Sequence, residues 1–262
     1  MAFPVVNALW IGSTLGARHA ACLSSFVAVG HRVVLHVYGE PPVDLPYGVE
    51  TADASKLMPF EKLPRHKRTG SYALASDLFR YEVLAAELGL YVDCDVFALK
   101  PIPDEDYIFG FESAHEINGA VLKLPADSPI LADLRSIGAS KTFIPPWLSE
   151  RKQRKLRWRA FFGRAPDISE MHWGIAGPIA ITYFAKKHGV YHLAKAPDVF
   201  YPLHYSRAYQ LLEDGLALSE MITPRTVAFH LYNESLGWRG GELQPNSPLS
   251  EIIRSHRRRQ AK

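Results

Sequence analysis

The sequence predicts an α/β fold built on a parallel sheet, in a single domain spanning residues 1–262. Three observations predict it. A strand, a helix and a second strand succeed one another within the first forty residues, which is the βαβ signature of a parallel sheet. A strongly periodic helix at 71–88 then runs directly into an apolar strand. Hydrophobic residues make up 47% and charged residues 22%, ordinary globular values, with no internal repeat and no linker.

The elements follow in order. Residues 5–11, VVNALWI, form an apolar run closed by Gly12 and read as a buried strand. Residues 15–29 are helical in pattern and stop at Gly30, and 32–38, RVVLHVY, are β-branched and alternating. Residues 40–70, with prolines at 41, 42, 46, 59 and 64, read as loop. In the helix at 71–88, Leu74, Leu78, Tyr81, Ala85 and Leu88 form one stripe, and Gly89 stops it. The strand 90–96, LYVDCDV, comes next and Pro101 and Pro103 end it; strands at 107–111 and 117–124 follow. Ser128-Pro129 opens a helix, 145–162 is a basic and aromatic helical stretch, and Pro178 opens a helix over 177–188. A late strand at 225–232 and a basic helix or tail at 248–259 complete the chain.

Several classes are excluded early. No apolar run approaches the ~18–20 residues of a membrane-spanning helix, and the N-terminal residues lack the charged and apolar regions of a signal peptide. Cys22 and Cys94 give neither a disulfide framework nor a zinc cluster, and there is no HExxH, GxGxxG or P-loop. His188 and His192 are spaced as HxxxH, but Gly189 between them breaks the helical face such a metal pair needs. The expected compartment is the cytoplasm.

The net charge of +3 hides an asymmetry. Three stretches, 65–68, 151–159 and 254–262, hold 14 of the 30 Lys and Arg and no acid, so the rest of the chain sums to −11. The stretch from Arg151 to Arg159 reads RKQRKLRWR, with Trp147, Phe161 and Phe162 around it. Together with the C-terminal tail at 251–262 it suits an anionic membrane surface, which points to peripheral association at the inner membrane face. Nucleic acid is not the expected partner, because a metal and diphosphate site explains more of the chain.

That site is read from residues 76–100, SDLFRYEVLAAELGLYVDCDVFALK. Asp77 and Arg80 are three apart on a helix and share a face. Asp93 and Asp95 are two apart on a strand, so their side chains point the same way at its end, where α/β sheets place ligands. Paired carboxylates repel unless a cation or proton lies between them, and hard oxygen ligands suit Mg²⁺ or Mn²⁺, which in turn hold phosphate oxygens. A haloacid dehalogenase-like phosphatase also uses DxD after an apolar strand. However, Phe97 here takes the place where that family usually has Thr or Val.

The block SDLFRYEVLAAELGLYVDCDV resembles the donor-site block of nucleotide-sugar glycosyltransferases with the DXD motif. These are of the family 32 type, with yeast mannosyltransferases and α-1,4-galactosyltransferases, and large clostridial glucosylating toxins carry a similar block. LWIGSTLG resembles their first strand, and the likeness spans roughly the first 125 residues. INGAV at 117–121, WGIAGP at 173–178 and FHLYN at 229–233 resemble weaker blocks further on. Gly89-Leu90 departs from the usual Gly-Gly.

The resemblance implies a GT-A fold, Rossmann-like, with a mixed, mostly parallel sheet flanked by helices, a donor part at 1–125, an acceptor side at 126–250 and transfer of a hexose from a nucleotide diphosphate sugar. It implies Mn²⁺ or Mg²⁺, a UDP-sugar donor before GDP-mannose, retention of configuration and a glycan or glycolipid acceptor, as in cell-surface polysaccharide or glycolipid synthesis. Trp10 would stack on the base beside Ile11 and Gly12. Asp77 would bind sugar hydroxyls, and Arg80 the sugar or diphosphate. Asp93 would touch ribose and metal, Asp95 the metal, and His230 the metal or diphosphate, with Asn233 in reserve. Asn118 and Trp173 would lie against sugar or acceptor. Were the reaction inverting, Glu112, Glu116 or His172 could serve as base. The competing reading is a non-catalytic sugar-nucleotide or polyanion-binding protein of the same fold.

Overall fold

A computed structural model describes residues 3–67, 70–139, 143–164, 167–171, 174–239 and 242–260. Its frame is a six-stranded sheet in the order β3-β2-β1-β4-β7-β6. The strands are β1 (Val6–Trp10), β2 (Val33–Val37), β3 (Val49–Asp53), β4 (Leu90–Val92), β6 (Ile108–Phe111) and β7 (Ile117–Lys123), while β5 (Val96–Ala98) lies outside this sheet. β1 to β4 run parallel, Val6 pairing with both Val33 and Leu90, and β7 and β6 add antiparallel. This is the mixed, mostly parallel arrangement that the resemblance implies, and its parallel half is the one read from the βαβ pattern.

Period-two alternation divides the apolar residues between two cores, one on each face of the sheet. Val6, Ala8, Leu90 and Val92 face the core that contains α1 (Gly16–Ala28), while Leu9 and Tyr91 face the other. The second core is closed by α2 (Ala73–Ala85), α3 (Pro129–Ala139) and α5 (Pro178–Lys187), with the basic helix α4 (Glu150–Phe161) between α3 and α5 in sequence. α6 (Pro197–Phe200), β8 (Ala228–His230), α7 (Asn233–Arg239) and α8 (Pro248–Gln260) complete the order, and α8 buries Leu249 and Ile252 in the first core. Among the described residues, no helix is long and apolar enough to cross a membrane.

Four expectations change. The proline-rich 40–70 region contains β3, whose sequence VETAD buries only its first residue and so lacks an apolar signature; as an edge strand it needs none. The strand expected over 90–96 is two strands. Asp93 N–H makes the last sheet contact, to Ala120 O at 2.8 Å; Val96 N–H then bonds Asp93 O at 3.1 Å, and β5 turns away to pair antiparallel with β8. Asp93 and Asp95 therefore converge through a turn, not through strand periodicity. The α2 helix is buried on nearly every side, not along one stripe, and Leu88 lies exposed beyond its end. The strand expected over 225–232 shrinks to three residues because Tyr232, at φ +53°, takes a left-handed conformation and delivers the chain into α7. The stretch expected over 248–259 as a helix or tail is helix α8. His188 is also accounted for: its Nε2 pairs with Asp133 at 2.7 Å.

Candidate active site

Charged side chains converge where β4 ends. Arg80 is only 4% exposed, yet its guanidinium bridges two acids. Nη1 lies 3.2 Å from Asp77 Oδ1, and Nη2 donates to Asp93 Oδ1 and Oδ2 at 3.0 and 3.3 Å. The group also lies over the ring of Tyr91, whose hydroxyl meets Ser76 Oγ at 2.8 Å. Asp95 is held from the far end of the chain. Its Oδ2 accepts the Asn233 N–H at 2.8 Å, its Oδ1 lies 3.2 Å from His230 Nε2, and its backbone O accepts the Leu231 N–H. The β5–β8 pairing, in register Val96 with His230, is what brings them together. Cys94 points inward, its thiol donating to Leu9 O at 3.3 Å.

Ligand atoms of Asp93, Asp95 and His230 all lie within 4.8 Å of one another. The charge balance tests whether a divalent cation fits. Three carboxylates and one guanidinium, all largely buried, sum to −2. Burial pushes Asp77 up to about 6, with Asp93 adding to the rise and Arg80 opposing it. Burial raises Asp93 too, against the pull of Arg80. For His230, burial favours the neutral ring, but the Asp95 charge outweighs it and raises the pKa. Only Asp95 is held below the usual carboxylate range: burial opposes this, and His230 and the Asn233 N–H together overcome it. A dication bound here would offset the net negative charge of the cluster. His230 Nδ1 is buried with no partner among the described residues. The donor set, two hard carboxylates and one imidazole, suits Mn²⁺ or Mg²⁺.

These groups line one cavity of about 520 Å³. Trp10, Asp77, Arg80, Asp93, Asp95, Asn118, His230 and Asn233 are in its wall, as are Glu112 and Glu116. Ile11 and Gly12 are not among the lining residues. Trp173 and His172 lie outside the described residues. The Asn118 amide donates to Glu112 Oε2 at 2.6 Å and its oxygen accepts the Ala120 N–H, fixing both side chains. Trp10 packs on His19 with ring centroids 4.6 Å apart, and its indole N–H has no described partner.

Sequence reasoning missed several contributors. Gly177 and Gly119 make room for the charged pair. A Cβ at Gly177 would sit 2.5 Å from Asp77 Oδ1, and one at Gly119 would overlap Arg80 Nη1. Both glycines lie in the weaker blocks noted above, but only the folded chain shows what they clear. Tyr232 lines the cavity beside His230, ring centroids 4.2 Å apart, and its left-handed backbone is strain placed where the chain must turn to present the Asn233 N–H. His19 and Tyr205 also line the wall. The two sides of the divided chain mix here, since His230 and Asn233 join the donor-side aspartates.

Residues 37–114 match the family model "Glycosyltransferase sugar-binding region containing DXD motif", and Asp77, Arg80, Asp93 and Asp95 all fall inside the matched span. A segment of 42 residues is 48% identical to subversion of eukaryotic traffic protein A of Legionella pneumophila; it is 16% of this chain and 6% of that protein, so the chain matches a small part of that relative. Among solved structures, the PaToxG glycosyltransferase matches with a TM-score of 0.46 at 15% identity, over 71% of this chain and 69% of that one. A transferase mutant with two cysteines replaced by serine matches with a TM-score of 0.35 at 10% identity, over 65% of this chain and 88% of that one.

Proposed function

We propose that the chain is a metal-dependent glycosyltransferase of GT-A type. It moves a hexose from a nucleotide diphosphate sugar, UDP-linked before GDP-linked, to a glycan or glycolipid acceptor with retention, in the synthesis of cell-surface polysaccharide or glycolipid. The whole span 1–262 acts as one domain in this reading. The observation that carries it is the convergence of Asp77, Arg80, Asp93, Asp95 and His230 in one cavity whose charge calls for a dication.

Asp93, Asp95 and His230 would hold Mn²⁺ or Mg²⁺, which when bound supplies Lewis-acid neutralisation of a leaving diphosphate. The chain's own residues do the rest. Arg80, with both Nη groups on carboxylates, is chiefly a positioning residue that sets Asp77 and Asp93 apart at fixed spacing. Asp77, whose Oδ2 is not bonded to Arg80, accepts a sugar hydroxyl and orients the ring. Trp10 offers an aromatic face for the base. Asn118, fixed by Glu112 and the Ala120 N–H, borders the sugar. In a retaining transfer the departing phosphate itself takes the acceptor proton, so Glu112 need not act as base.

Incubation with Mn²⁺ and a panel of nucleotide sugars tests this. Slow hydrolysis of one donor without acceptor, stopped by EDTA, is expected. Donor binding without turnover would favour the non-catalytic reading, and neither binding nor turnover across the panel would overturn the proposal. Gly177→Ala offers a finer check. The new methyl group must displace the Asp77 carboxylate, so turnover of that donor falls roughly hundredfold, while thermal unfolding shows the fold retained. Full activity in that variant would mean that Asp77 does not need its present position.

A further inference from the structure

α4 is unlike every other long helix here, because none of its residues is buried. It is held from outside itself. Trp147 before it packs on Phe184 in the second core with ring centroids 5.7 Å apart, and Ile168 after it lines the cavity. Its inner side is Gln153, Leu156 and Ala160, which are half-buried. Its outer side has two halves. Arg151, Arg154 and Lys155 occupy the first turns; Trp158, Phe161 and Phe162 continue the same face at i+7, i+10 and i+11. These three aromatics are 66%, 84% and 59% exposed and contact one another, with centroids 4.7 Å apart for Trp158–Phe162 and 5.3 Å for Phe161–Phe162.

We infer that this face docks on an anionic lipid bilayer. Charge complementarity argues for that occupant. α4 carries six basic residues against the single acid Glu150, and no described residue pairs with Arg151, Arg154 or Lys155. A protein partner could match the charge, but three contiguous bulky aromatics beside a basic strip also match the layered chemistry of a membrane interface, headgroups over acyl chains. The geometry also moves the site of docking. The C-terminal helix also exposes Arg254 and Arg257, but its apolar residues Leu249 and Ile252 are buried in the first core, so it offers no exposed aromatic cluster beside its charge. α4 is the basic stretch that joins exposed aromatics to its charge.

Docking itself does not depend on the transferase reading. Sedimentation with vesicles of phosphatidylcholine alone, or with added phosphatidylserine, tests it on the full chain in EDTA. Binding is expected only to the phosphatidylserine vesicles. Replacing Arg151, Arg154 and Lys155 together by Gln should lower partitioning on the order of a hundredfold, and Trp158→Ser with Phe161→Ser and Phe162→Ser should remove the binding that persists at high salt. Circular dichroism of both variants should match the parent, because every replaced side chain is exposed. Equal binding by either variant, no binding to anionic vesicles, binding to heparin but not to vesicles, or a dimer broken by Phe161→Ser in place of vesicle binding would each overturn the inference. Donor hydrolysis in solution is expected to be unchanged in both variants, so failure of docking and failure of the transferase reading are separable.

Discussion

Asp95→Asn is expected to lower metal-dependent turnover on the order of a thousandfold while leaving thermal unfolding almost unchanged. Asparagine keeps the shape of the side chain and its Oδ1 can still accept the Asn233 N–H, so the turn from β8 into α7 survives. What is lost is the charge. Asp95 is the one acid of the cluster held below the usual carboxylate range, so its charge is the hardest of the three to lose and meets an incoming cation as a full anion. Its loss also frees His230 from the charge that raises its pKa. Steady-state hydrolysis over a Mn²⁺ series checks the prediction. A variant that regains full rate at high Mn²⁺ would show Asp95 to be a helper, with Asp93 and His230 as the principal ligands.

Arg80→Met should produce the largest loss of stability of any single change in the site, about 3–5 kcal/mol. Methionine fills the volume but leaves Asp77 and Asp93 buried without a counter-charge. The pH dependence gives the sign. Asp77 has a folded-state value of about 6 against an ordinary 3.8. The folded protein therefore binds more protons than the unfolded chain in this window, and stability falls as pH rises through it. Removing Arg80 raises both carboxyls further, so the deficit of the variant should be small near pH 5 and full by pH 8. Urea unfolding in EDTA at those two values measures it. Adding Asp77→Asn to Arg80→Met should recover part of the loss, since contacting residues do not act additively. Arg80→Lys should not rescue, because one ammonium cannot reach two carboxylates as a planar fork does.

Much of this was legible in the residues. The first β-α-β unit, the α2 helix and the DXD turn were visible because their signals are local: β-branched alternation, helical spacing, glycine stops, charged triplets ending an apolar run. The convergence of Asp77, Arg80, Asp93 and Asp95 followed from the same block, although the cause is a turn and not strand parity. What was hidden is set by tertiary contact. β3 is an edge strand whose side chains face water, so no apolar pattern marks it. α2 was read as amphipathic, yet it is enclosed on nearly all sides, which is why its Asp–Arg pair is buried and not a surface pair. The roles of Gly119 and Gly177 exist only once α2 lies against β7 and α5. The aromatic and basic halves of α4 were visible as composition, but that they share one outward face is a property of the folded helix.

In the proposed function Asp93, Asp95 and His230 bind a divalent cation that in turn holds a nucleoside diphosphate. Calorimetric titration with UDP, in Mn²⁺ and in EDTA, tests this. Binding is expected in Mn²⁺ and none in EDTA, with loss of the Mn²⁺-dependent heat in both Asp95→Asn and His230→Ala. UDP binding of equal strength in EDTA, or unaltered Mn²⁺-dependent binding in both variants, would contradict it.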